Sequence, residues 1–187
     1  MGDMLSVIVD GLCRQCNKSL AVRLVAENGE ALPDWQPGAH IDVHLPCGIV
    51  RQYSLTGPCG DEGYLICVGR ETASRGGSRY IHETLRPGQR LLISSPRNVF
   101  PLHQAERVLL LAAGIGITPL YAMALQLEAS GTPFTLHYYV KSRESAAFIR
   151  ELSRLFHYGE CAVHASCEGE SPRTHLAQDL SAPHAGL

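Results

Sequence analysis

Val108-Leu109-Leu110-Leu111-Ala112-Ala113 is an unbroken apolar run, and Gly114-Ile115-Gly116-Ile117-Thr118-Pro119 follows it without a gap. A continuous apolar run of this length suits a strand buried on both faces. Glycines then turn the chain, and Thr118 and Pro119 make a good helix start, Thr as N-cap and Pro at the first helical position. Leu120, Met123, Ala124 and Leu127 form the apolar stripe of that helix, and Gly131 ends it. Strand, glycine turn and helix in this order open a doubly wound α/β unit. Residues 134–140 read as a second strand. Residues 146–156 read as a second amphipathic helix, with Phe148, Leu152 and Leu155 on its apolar face. Residues 162–166 read as a third, shorter strand, so 106–166 is predicted as βαβαβ.

The first hundred residues follow another rule. Short, partly alternating runs at 5–9, 19–26, 40–45, 50–55, 64–68 and 90–94 are separated by Asn28-Gly29, Pro37-Gly38, Pro46-Cys47-Gly48, Gly57-Pro58 and Pro87-Gly88. Such spacing predicts an antiparallel barrel or sandwich. One short helix interrupts it, beginning near Ser78, with Ile81 and Leu85 on one face. The chain therefore divides near residues 96–103 into a β domain over 1–103 and an α/β domain over 104–187. The segment 168–187, broken by Gly169, Pro172, Pro183 and Gly186, has a weak apolar pattern and is assigned no element.

A formal net charge of −2 gives no electrostatic case for nucleic acid or an anionic membrane. No apolar run is long enough to span a bilayer. The first residues lack the basic and apolar regions of a signal peptide. Seven scattered cysteines argue for cytosolic thiols and a cytoplasmic chain rather than a disulfide framework. His157, His164, His175 and His184 crowd the last third with Cys161 and Cys167, but their spacings match no zinc pattern, so no metal ligand is assigned. Cys13-x-x-Cys16 falls in a hairpin rather than at a helix N-terminus, which argues against redox activity.

Three segments could carry chemistry. Arg51-Gln52-Tyr53-Ser54 lies on a predicted strand, with Arg51 and Tyr53 on one face and Gln52 and Ser54 on the other. A flavin needs a cationic group for its phosphate, a flat surface for its ring and donors for the polar edge. A plain barrel strand with an exposed Arg is the other reading. Arg75-Gly76-Gly77-Ser78 stands at a helix start, where glycines let backbone N–H groups approach an anion. A lone segment of this kind also occurs as a surface loop with a serine cap. Gly114 to Pro119, with Gly116, Ile117 and Thr118, follows a strand and precedes a helix, the context of a phosphate-binding turn. The same context also accommodates a tight turn without ligand. Ser142 and Arg143, after Lys141, end the second strand where an adenosine ribose would lie.

Taken in order, Pro37-Gly38-Ala39-His40-Ile41, the Arg51-to-Leu55 strand, Arg75-Gly76-Gly77-Ser78, Ser95-Pro96-Arg97-Asn98-x-Phe100 and Gly114-to-Pro119 resemble the phthalate dioxygenase reductase and vanillate demethylase reductase group of the ferredoxin–NADP reductase superfamily. The resemblance covers nearly the whole chain. It implies an antiparallel flavin-binding barrel followed by an NAD domain. Arg51, Gln52, Tyr53 and Ser54 would hold FMN, Cys67 and Val68 would line it from a neighbouring strand, and Gly76, Gly77 and Ser78 would take its phosphate. NADH would bind at Gly114, Gly116, Ile117, Thr118, Pro119, Ser142 and Arg143.

The same resemblance implies electron flow from NAD(P)H through FMN to a ferredoxin or terminal oxygenase. A stand-alone flavin reductase and a non-catalytic flavin-binding or redox-sensing module are the alternatives. The family's [2Fe–2S] domain has no counterpart here, since C-x4-C-x2-C is missing, so that cluster is expected only in a missing C-terminal domain or on a partner. The family's later NAD-domain strand is also unmatched, which predicts a C-terminally truncated, incomplete doubly wound domain. Residues 108–113 would then be an edge strand, apolar on both faces, left to self-associate or be covered by the 168–187 tail.

Overall fold

In the computed structural model, whose described residues are 4–71, 76–154 and 156–181, the change in patterning marks two packing units. The first is all-antiparallel. It comprises β1 (Met4–Cys16), β2 (Ser19–Ala26), β3 (Ala39–His44), β4 (Val50–Thr56), β5 (Tyr64–Gly69) and β6 (Arg90–Ser94), in the order β4-β5-β2-β1-β6-β3. A two-residue strand, β7 (Arg97–Asn98), extends β3. β3 also pairs with β4, Ile41 opposite Tyr53, so the sheet closes on itself as a barrel with no free edge along these strands.

Alternation fills the barrel. Val7 and Val9, Val22 and Leu24, Ile41 and Val43, and Leu91 and Ile93 point inward and are buried, while their sequence neighbours face outward. α1 (Gly77–Glu83) supplies Ile81 to the same core, joined by Leu85 just beyond the helix. His82 Nε2 donates to the Val68 carbonyl at 2.8 Å, and Arg70 meets Glu83 at 2.7 Å, so both tie α1 to the end of β5. The first strand is longer than residues 5–9, because irregularities between Val9 and Gly11 and between Arg14 and Cys16 let it stay paired with β2.

The second unit runs β8 (Val108–Ala113), α2 (Ile117–Ser130), β9 (Phe134–Val140), α3 (Ile149–Leu152), β10 (Gly159–Ala165) and α4 (Pro172–Ser181). Its strands are parallel in the order β10-β9-β8. Leu110 and Ala112, Leu136, Tyr138 and Val140, with Ile117, Leu120, Met123, Ala124 and Leu127 of α2, form one core.

Four expectations are corrected here. β8 is not buried on both faces. Leu110 and Ala112 are buried, but Leu111 is 39% exposed, because α2 covers one side only. Thr118 is not the N-cap: a 3₁₀ turn at Gly114–Gly116 runs straight into α2, and Thr118 Oγ1 donates to the Ile115 carbonyl from inside the helix. Pro119 is still tolerated, since the first four helical N–H groups lack partners anyway. The helix expected over 146–156 shrinks to the single turn α3. Ala146, Ala147 and Phe148 are buried before it, with Phe148 in the left-handed region at φ 59°. Leu155 lies outside the described residues. Finally, the tail holds a helix, α4, where none was expected. Ser171-Pro172 is its overlooked start signal, Pro at the first helical position.

β8 is an edge strand among the described residues, as the unmatched strand implied. α4 does not run along that edge in strand fashion; its polar contacts are to β9 and β10. Backbone amides in β1–β6 are therefore expected to exchange more slowly than those of β8–β10, as a closed barrel opens less readily than a three-stranded sheet with a free edge. Equal protection in both, measured by hydrogen exchange, would show that something covers β8.

Candidate functional site

The two units face each other across a cleft of about 710 Å³. α2 packs on β4, and Ile115 of the glycine turn lies against Gly69 at the end of β5. The hairpin between β1 and β2 reaches the other unit too. Asn17 N–H donates to the Glu144 carbonyl at 3.2 Å, and Cys16 Sγ to the Ser145 carbonyl. Cys13 and Cys16 are free thiols, and of the two Cys16 meets the second unit while Cys13 is exposed.

Arg51, Gln52, Tyr53 and Ser54 all line the cleft, with Cys67, Val68, Ser78, Gly114, Gly116, Thr118 and Pro119. Strand twist at the barrel mouth brings both faces of β4 to one space. Gly77 lies behind Arg51, and Gly76 beside Ile49. A Cβ on Gly77 would come 2.9 Å from Arg51 Cγ and 3.1 Å from its Nε, and Gly76 has φ 101°, a conformation few other residues adopt. Together they let the chain pass directly beneath the guanidinium. Arg75 lies outside the described residues. Ile117 is fully buried under the glycine turn rather than on the lining. Ser142 and Arg143 are not on the lining either. Ser142 is bonded to Ser145 in a capping box, and Arg143 Nε pairs with Glu168 at 3.2 Å.

Sequence reasoning missed several lining residues: Lys18 and Ser19 from the β1–β2 hairpin, Arg70 and Glu71 after β5, and Tyr138 and Val140 from β9. No local motif marks them. The β5–β2 register, with Val68 opposite Leu20 and Gly69 opposite Ser19, is what carries the hairpin to the mouth.

The electrostatics favour binding over acid–base work. Burial pushes the Tyr53 hydroxyl up to about 12, with Arg51 pulling it down and Glu71 up, so it stays a neutral donor at physiological pH. Burial likewise pushes the Cys67 thiol up to about 12, which rules it out as a thiolate nucleophile. The cleft is thus a lined slot with the Arg51 guanidinium against close-packed Gly77 at one end and a glycine turn at the other. Its volume lies within the range of small-molecule and cofactor sites. The donor set fits a flavin: an Arg for phosphate, a neutral Tyr, and backbone that a Cβ would block.

Replacing Gly77 with alanine tests the close approach. The added methyl must displace Arg51, so flavin affinity should fall by about 1 kcal/mol, the net worth of a hydrogen bond, with fold stability little changed. A flavin titration giving wild-type affinity would separate Gly77 from the Arg51 site.

Known proteins share this fold. No protein-family model matches the chain. A vanillate O-demethylase oxidoreductase from Pseudomonas sp. is 46% identical over 151 residues, covering 80% of this chain and 48% of the relative. The protein of the same name from Pseudomonas putida is 46% identical over 188 residues, covering 98% of this chain and 58% of the relative. The solved structure of phthalate dioxygenase reductase superposes with a TM-score of 0.82 at 32% identity, covering 87% of this chain and 51% of that one. The chain thus spans about half the length of the curated relatives it matches. The barrel and the parallel sheet correspond to the flavin-binding and NAD-binding folds of these proteins, which imply a flavin and a pyridine nucleotide as cofactors. The chain belongs to the ferredoxin–NADP reductase superfamily, within its phthalate dioxygenase reductase and vanillate demethylase reductase-like flavoproteins.

Proposed function

We propose that this chain carries electrons from NADH through FMN toward an iron–sulfur or oxygenase partner, with residues 1–103 as the flavin domain and 104–187 as the nucleotide domain. The observation that carries the reading is the single cleft joining Arg51 to Ser54 with the Gly114-to-Pro119 turn. A flavin on the barrel side and a nicotinamide on the turn side would meet in one space. When bound, the nicotinamide and flavin would supply the hydride and single-electron chemistry; the protein's part is to bind, orient and exclude water.

Arg51 would hold the flavin phosphate with Gly76, Gly77 and Ser78. Tyr53, Ser54, Cys67 and Val68 would bound the ring, with Gln52 at the rim. Gly114, Gly116, Thr118 and Pro119 would receive the nucleotide above buried Ile117. The compact site around Gly77 supports FMN, a flavin that ends at its phosphate. The family likeness favours NADH over NADPH, and Arg143 is already engaged by Glu168, while Lys141, which lines the cleft, is the cation that would pull toward a 2′-phosphate. Ser142 and Arg143 would then border the adenosine rather than grip a 2′-phosphate. The similarity to a vanillate O-demethylase oxidoreductase and to phthalate dioxygenase reductase, which transfers electrons from pyridine nucleotides to [2Fe–2S], supports an oxygenase or ferredoxin partner for this chain as well.

Denaturing the purified protein and identifying the released flavin tests the assignment. Stoichiometric FMN is the expected result, and FAD would overturn it. Loosely held flavin that exchanges freely would favour a reductase using flavin as substrate. Faster reduction by NADPH than by NADH would reverse the nucleotide preference.

A further inference from the structure

The sheet of the second unit has two faces, and α2 occupies only one. Leu136, Tyr138 and Val140 of β9 face α2, so His137 and Tyr139 face the opposite way. On β10, His164 stands opposite Tyr139 and shares that face. α4 crosses it and lowers Asp179 onto the histidines. Sequence spacing could not show this group, because its members come from β9, β10 and a tail helix.

We propose that His137, His164 and Asp179 form a binding site for one zinc ion, which fastens α4 to the sheet. Nδ1 of His137 and Nε2 of His164 share a hydrogen bond of 2.9 Å, their ring centroids 5.2 Å apart, and Asp179 Oδ2 lies 3.6 Å from each; zinc would replace that hydrogen bond and displace its proton. A point equidistant from three atoms so spaced is about 2.0 Å from each, the bond length of zinc to imidazole nitrogen and carboxylate oxygen, and the two rings must turn off their shared hydrogen-bond line to aim at it. Two imidazoles and one carboxylate leave a fourth position for water. The three side chains are only 12%, 13% and 16% exposed, so the cluster is enclosed enough to exclude competing solvent.

The surroundings are those of a ligand set held in place. The Tyr139 hydroxyl donates to Asp179 Oδ2, an orienting bond of the kind that second shells supply. The His164 ring stacks between neighbours, 4.8 Å from Tyr139 and 6.1 Å from His175 by ring centroids, which fixes its plane. His175 precedes Asp179 by one helical turn and completes the polar face of α4. Cys161 on β10 packs instead against the α2-side core, away from this cluster. No residue of α4 is buried, and a ten-residue helix is marginal alone, so apolar packing does not account for its position. Its polar contacts to Tyr139, His137 and His164 do, and a bound cation would strengthen them by offsetting the desolvation of Asp179 and making α4 docking part of the binding equilibrium.

The test uses the full chain after chelator treatment. Isothermal titration with zinc should give one equivalent, and hydrogen exchange across 172–181 should slow at least tenfold when zinc is added. Cobalt in place of zinc should give d–d absorption without a thiolate charge-transfer band. His164→Ala and Asp179→Asn should each weaken zinc binding at least tenfold. If His164→Ala perturbs the sheet by circular dichroism, Asp179→Asn carries the test, since its side chain stands on the helix. Undiminished binding in Asp179→Asn, a cobalt–thiolate band, or no binding by the wild type would each overturn the site.

Discussion

Alanine at Phe148 is expected to destabilise the protein by about 3–5 kcal/mol, the usual loss for a buried phenylalanine. The ring is 2% exposed and stacks on Tyr121 of α2, with centroids 4.8 Å apart and planes 19° apart. It therefore joins the segment before α3 to the helix that carries the glycine turn. Its backbone has φ 59°, which alanine tolerates no better. Glycine there loses the same packing but relieves a left-handed strain of roughly 1–2 kcal/mol. Phe148→Gly should consequently be no less stable than Phe148→Ala, although it is smaller. Urea unfolding at a constant m-value measures both. A loss under 1 kcal/mol for the alanine variant would mean that Phe148 is not in this core.

Arg51→Ala is expected to weaken flavin binding by about 1.5–3 kcal/mol, the worth of hydrogen bonds to a charged group, or roughly tenfold to 150-fold. Arg51 lines the cleft, its Nη1 is steadied by the Val50 carbonyl at 2.8 Å, and the Gly76-Gly77 backbone passes beneath it. Lysine should recover part of the affinity, since it keeps the charge but loses the planar fork. Fold stability should change little, because the side chain is only half-buried. Fluorescence titration of flavin against the three proteins decides it, and equal affinities would remove Arg51 from the site.

The barrel was legible because each strand alternates over a closed sheet, so residues such as Ile41 and Val43 announce their face directly. The residues proposed to hold the flavin lie together for a related reason: Arg51 to Ser54 are consecutive, and all four line the cleft. The nucleotide domain was harder. β8 reads as fully buried, yet its burial depends on what lies against Leu111, which no local pattern can state. α3 failed because Phe148 satisfies the core from a left-handed backbone, a tertiary demand that breaks helical periodicity. α4 was missed because its contacts are polar and long-range, Asp179 to Tyr139, His137 and His164, so no apolar stripe was there to read. Lys18, Arg70 and Tyr138 reach the cleft through strand register, again invisible along the chain.

The central claim is that one cleft holds a flavin at Arg51 to Ser54 within reach of a nicotinamide at the Gly114-to-Pro119 turn. The most direct measurement is anaerobic mixing of the flavin-loaded chain with NADH, followed by the visible absorbance of the bound flavin. The account predicts one equivalent of flavin retained per chain and its bleaching by NADH. A chain that retains no flavin, or a bound flavin that stays yellow under NADH, would contradict it.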